Sequence, residues 1–180
     1  MTDNHGTEQG AAAIETAMII GVLLLLTLGA FEWGMALRDW MTVSSATREG
    51  ARVAASAADF SGADCLILEA TSGALQNISA DSIVEIWIYR SDTSGAVLNT
   101  QRYRPKSSSD TQPIDLDCTV GWYRNEDGYP SSARDNDNPP LDWVGVRLVF
   151  EHEWQTGFLW FTGTAQWEED TVMRIEPGID

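Results

Sequence analysis

Thr16-Ala-Met-Ile-Ile-Gly21-Val-Leu-Leu-Leu-Leu26-Thr-Leu-Gly29-Ala-Phe31 is sixteen residues without a charge, and it decides the architecture. Glu32 interrupts the run, and Trp33 to Leu37 resume it until Arg38. A helix rises about 1.5 Å per residue, so Ala11 to Leu37 covers about 40 Å against roughly 30 Å of bilayer hydrocarbon. A membrane-spanning segment is therefore expected over about residues 14–37. Leu23 to Leu26 are strong helix formers, and lipid tolerates Gly21 and Gly29. Alanine and arginine content without proline carries the helix on to Ala57, giving one long helix over 11–57.

The residues in front of the run are polar and hold no Lys or Arg, and those behind it, Arg38-Asp39-Trp40-Met41, make a poor cleavage site. A secretory signal peptide needs the opposite of both. A cut in front of the helix fits better. Residues 1–10 form a short hydrophilic leader ending in Gly10, and Glu15 is the fifth residue after it, which is the type IV prepilin pattern.

Three further runs extend that likeness: Gly10-Ala-Ala-Ala-Ile-Glu15-Thr-Ala, Phe31-Glu32-Trp33-Gly34, and Ala46-Thr-Arg48-Glu49-Gly50-Ala51-Arg52-Val-Ala-Ala55. Together they resemble the TadE/TadG-like family, whose members are minor pilins or pseudopilins of the tight-adherence (Flp) type IV pilus system. The closing Val172-Met173-Arg174-Ile175-Glu176-Pro177 is similar to the end of TadE-like chains. The resemblance implies cutting between Gly10 and Ala11 by a prepilin peptidase. It also implies that Glu15 pairs with the free amine of Ala11 on a neighbouring subunit. Partners would be that peptidase, other pilins or pseudopilins, pilus assembly proteins and inner-membrane lipid. Positive charges after the helix point the other way by the positive-inside rule, but a prepilin leader must face the cytoplasmic peptidase. The domain beyond the helix is then extracytoplasmic.

Two features of the helix leave alternatives open. Glu32, about 26 Å along the helix from Glu15, either snorkels to the outer interface or meets a partner helix in the membrane. Ala46, Gly50, Ala54 and Ala57 make a small-residue stripe that lets another backbone approach closely. Arg48 and Arg52, like charges four residues apart, need acidic partners, either from this chain or from another subunit.

Acids outnumber bases 27 to 11, a formal net charge of −16, and from Ala58 onward the count is 21 to 8. That balance excludes nucleic acid as a partner, because basic surface supplies most of such affinity. His5 and His152 are the only histidines and lie on opposite sides of the apolar run. No Gly-rich phosphate loop, HExxH or GxSxG occurs, so no enzyme, no cofactor and no small-molecule substrate is expected. Cys65 and Cys118 fit no metal-ligand spacing. Both lie on the outer side of the span, in an oxidising compartment, so a Cys65–Cys118 disulfide is expected.

Residues 58–180 read as an acidic α+β domain of pilin-like organisation, a helix packed on an antiparallel sheet. Ala63 to Gln76 is helical, with Leu66, Ala70 and Ala74 on one face. Ile83 to Arg90, residues 144–150 and Thr171 to Glu176 alternate as strands, and Val97 to Tyr103 and Thr119 to Tyr123 are weaker strand segments. Arg104 to Pro113 and Arg124 to Asp142 read as loops. Asp127, Asp135, Asp137 and Asp142 in the second belong to a solvated turn-rich loop or, alternatively, a calcium site that matches no EF-hand. Phe158-Leu-Trp160-Phe161 is read as core packing. The rival to a pilin is an uncleaved single-pass sensor or ligand-binding module with its site in the loop 124–142.

Overall fold

The computed structural model describes residues 5–75, 78–106, 121–137, 140–157 and 162–177. Its backbone is one helix, α1 (His5–Ala57), 53 residues long, followed by α2 (Ala63–Gly73) and five strands. These are β1 (Ile83–Ser91), β2 (Val97–Pro105), β3 (Trp122–Asp127), β4 (Trp143–Glu153) and β5 (Thr164–Arg174). They form one antiparallel sheet in the order β3-β2-β1-β4-β5. The α+β class with a long apolar N-terminal helix is thus as the sequence predicts.

Burial along α1 changes abruptly. Residues 12–27 are exposed all round, and the first buried residue is Glu32. From there Ala36, Val43, Ala46, Thr47, Gly50 and Ala54 recur at helical spacing and lie over β4 and β5. Trp40 Nε1 donates to Glu169 (2.9 Å), Thr47 and Thr171 share a 3.2 Å hydrogen bond, and His152 Nδ1 lies 2.7 Å from Asp39 Oδ2. Walking toward the start of α1 therefore means walking up β4 and back along β5. The end of β4 and the residues just after it, 154–157, lie toward the apolar half of the helix.

The core between α1, α2 and the sheet is built from alternate strand positions. Val144, Val146, Leu148 and Phe150 of β4 and Ile86 and Ile88 of β1 face the helices and are almost fully buried. On α2 the buried face is Ala63, Asp64, Ile67, Leu68 and Thr71, whereas Leu66 is exposed. The predicted face of Leu66, Ala70 and Ala74 is corrected: the i, i+3, i+4 set of Asp64, Ile67, Leu68 and Thr71 turns inward, its carboxylate held by buried partners. The other sheet face carries a row Glu126–Arg102–Trp87–Arg147–Asp170 across all five strands. Two guanidiniums, from Arg102 (3.9 Å) and Arg147 (5.2 Å), lie against the Trp87 ring.

Three predicted loop and strand limits move. Arg104 and Pro105 belong to β2 and Arg124 to Asp127 to β3, not to loops, and β5 starts at Thr164 and not at Thr171. Its first half, Thr164 to Asp170, is too polar to read as a strand; its partner β4 holds it, with Phe150 opposite Trp167. Most of the predicted loop 104–113, the residues 118–120 and the cluster Phe158–Phe161 lie outside the described residues.

Candidate functional site

Three constellations carry whatever the chain does: the start of α1, its motif-bearing middle, and the contacts that hold the domain to it. Gly10, Ala11 and Glu15 are all in α1, and Gly10 and Glu15 are exposed. A Cβ built on Gly10 would meet nothing within 4 Å, so no packing requires a glycine there. Glycine in a helix costs roughly 1 kcal/mol against alanine, which leaves recognition by another protein as a reason for it. The Gly10–Ala11 bond lies inside the helix.

The middle of α1 is spent within the chain. A Cβ on Gly50 would fall 2.2 Å from Thr71 Oγ1 and 3.2 Å from Val146 Cγ1, so Gly50 is where α1, α2 and β4 meet. Ala46 and Ala54 on either side are fully buried. The backbone brought close by the small-residue stripe is the chain's own. Arg52 holds Glu49 through two hydrogen bonds, Nε to Oε2 at 3.0 Å and Nη2 to Oε1 at 2.5 Å. That pairing lowers the Glu49 pKa and raises that of Arg52. Arg48 is exposed.

Glu32 is engaged within its own chain. Its side chain is buried, and its carboxylate accepts the backbone N–H groups of Gln155 (Oε2, 3.2 Å) and Thr156 (Oε1), just after the end of β4. One residue on, Trp33 packs edge-to-face on Trp154 (6.3 Å), which meets Trp167 and His152 in the same way. Beside them an open groove of about 480 Å³ runs between Trp33, Leu37, Trp40 and Trp167.

A buried network escaped the sequence reading. Asp64, in the first turn of α2, accepts from Arg134, from Tyr103 Oη at 2.5 Å and from Gln101 Nε2 at 3.5 Å. Arg134 also reaches the Ala58 carbonyl (3.4 Å) just past the end of α1. Burial, and then the Asp64 charge, push the Tyr103 pKa well up. The available signal was the position of Asp64 three and four residues before Ile67 and Leu68, which puts a carboxylate on an apolar face. Two acids of the loop are likewise used internally: Asp142 pairs with Arg90 (2.6 Å), and Asp135 Oδ1 accepts the Asp137 N–H. Among the described residues no group of three or more metal-ligating side chains occurs. Cys65 is half-buried on α2, and Cys118 lies outside the described residues.

These features define a class: a helix long and apolar enough to cross a membrane, continuous with an acidic α+β domain, fitting a single-pass membrane protein. Residues 10–52 match the model of the family described as TadE-like protein. The resemblance read from Gly10, Glu15 and the Arg48–Arg52 run is shown over that segment, and it supports a pilus-associated protein of the tight-adherence system. No curated protein and no solved structure matches the chain.

Proposed function

We propose that the chain is a TadE-like minor pilin or pseudopilin, a structural part of tight-adherence pilus assembly. The family match starting at Gly10, directly in front of the exposed apolar helix, carries this reading. A prepilin peptidase cuts after Gly10, and Ala11 becomes the new N-terminus. The exposed Glu15 carboxylate then neutralises the Ala11 amine of a neighbouring subunit, a pairing that favours assembly because a lone charge near the apolar segment is costly. Before assembly α1 holds the protein in the cytoplasmic membrane, with residues 58–180 outside. Other pilins, pilus assembly proteins and membrane lipid are its partners.

Because one face of α1 from Glu32 to Ala55 is covered by the chain's own sheet and α2, the surface left for other subunits is residues 12–31 and the opposite, exposed side that carries Leu37, Met41 and Arg48. Gly50 serves assembly by seating the domain on the helix, and Arg48, Glu49 and Arg52 lie on the exposed side open to other subunits. Intact-mass analysis and N-terminal sequencing of protein from the native membrane test the reading. The mature chain should begin at Ala11, and Gly10→Phe should leave the full-length precursor. Mature chain of normal size from Gly10→Phe refutes it.

A further inference from the structure

We propose that residues 154–157, which follow the end of β4, are a second contact with the bilayer, so that the domain sits directly on the outer leaflet and the hydrocarbon span closes at Phe31. This inference rests on the reading of α1 as a spanning helix, and it shortens the predicted span of 14–37 from its outer end. Its partner is the headgroup layer of the membrane lipid.

Three observations carry it. Residues 12–31 are about twenty in number and rise about 30 Å, the thickness of bilayer hydrocarbon. Protein covers one face of the helix from the next residue on, beginning with the fully buried Glu32 and continuing with Ala36. The groups covering Glu32 are the backbone amides of Gln155 and Thr156. Irregular backbone cannot lie in hydrocarbon facing lipid, since its polar groups would go unsatisfied. Residues 154–157 therefore mark the level where hydrocarbon ends, and the Glu32 carboxylate satisfies two of their amides there. Thirdly, indoles gather at this level: Trp33 is about half exposed, and Trp154 packs on it. Tryptophan is the residue enriched at membrane–water interfaces, with an apolar ring and a polar N–H. β4 runs along α1 with its end toward the apolar segment, so no stalk separates domain from membrane.

The test uses the full chain in vesicles of phosphatidylcholine. Spin labels are attached through a keto amino acid, leaving both native cysteines untouched, at Leu24, Leu37, Gln155 or Ser94. All four positions are exposed. Collision rates with oxygen, which concentrates in lipid, and with a water-soluble nickel chelate report depth. Leu37 lies six residues, about 9 Å, beyond Phe31. The Leu37 label should be as open to nickel as the Ser94 label, the Leu24 label shielded from nickel and rich in oxygen contact, and the Gln155 label intermediate in both. A Leu37 label as deep as Leu24, or a Gln155 label indistinguishable from Ser94, overturns the proposal. Loss of both oxygen and nickel contact at Gln155 marks a protein neighbour and overturns it too. A Leu24 label open to nickel refutes the spanning reading itself, and is recognised as that separate failure.

Discussion

Replacing Gly50 with alanine tests whether the small-residue stripe is closed by the chain's own α2. The added Cβ would lie 2.2 Å from Thr71 Oγ1, more than an ångström inside ordinary contact, and 3.2 Å from Val146 Cγ1. Thr71 is a β-branched residue with few rotamers and is held by its hydrogen bond to the Ile67 carbonyl (2.7 Å), so it cannot swing aside. Overpacking of this kind costs about 1–3 kcal/mol and sometimes more, against about 1 kcal/mol gained from alanine's helix propensity. A net loss of about 1–2 kcal/mol is expected, toward the upper end because the contact is so short. Guanidinium unfolding of the full chain in detergent, followed by tryptophan emission, measures it. Thr71→Ala removes the offending oxygen and leaves a methyl 3.4 Å away. Gly50→Ala combined with Thr71→Ala should therefore recover at least half of the loss. A Gly50→Ala chain as stable as the parent, or a double variant whose losses simply add, refutes the reasoning.

Asp64→Ala should be the most damaging surface-distant change, about 3–5 kcal/mol by the same unfolding assay, because it strands the fully buried Arg134 charge. Asp64→Leu with Arg134→Met should restore much of that, and failure to do so would show that the pair is worth more than its burial. Burial first, and the carboxylates of Asp170, Asp64 and Asp142 next, raise the pKa of Tyr89, Tyr103 and Tyr129. A raised folded-state pKa means stability present below the unfolded tyrosine value of about 10 and lost as pH climbs above it. Ultraviolet titration should thus show these three hydroxyls resisting ionisation until the chain unfolds, and smooth ionisation of all four tyrosines near 10 in folded protein would contradict it. No cysteine is free among the described residues. A Cys65–Cys118 bridge would close 53 residue steps, and reducing it should cost about 4 kcal/mol. Two freely alkylated thiols in protein from the native envelope would rule out the bridge.

What the sequence revealed follows periodicity and length. The sixteen uncharged residues and the missing prolines announce α1 and its end near Ala57, and the alternation from Val144 to Phe150 announces the central strand. Thr164 to Asp170 pairs with β4 through backbone hydrogen bonds that leave no apolar signature, so half of β5 was invisible. The partners of Glu32 come from a turn more than 120 positions away, and no local pattern encodes such a contact. Asp64 was legible in principle, since its spacing to Ile67 and Leu68 places it inward. Arg134 was not, because a lone arginine in a turn-rich loop reads as solvated. Gly10 and Glu15 were found by motif alone, and the helix around them adds exposure without adding a partner.

The absence of any break in α1 has a mechanical consequence. From Glu32 to Ala57 the helix is welded to the sheet, and from Ala12 to Phe31 it is the same rod without a glycine or proline kink supported by packing. A rod of this kind has no joint at which membrane and domain can move independently. Spanning helices tilt by about 20° on average, and over the roughly 38 Å from Glu32 to Ala57 such a tilt displaces the far end of the domain by about 13 Å. Force applied to the apolar segment by neighbouring helices arrives at the sheet as rotation, undamped, which makes the molecule a lever and not a tethered bead.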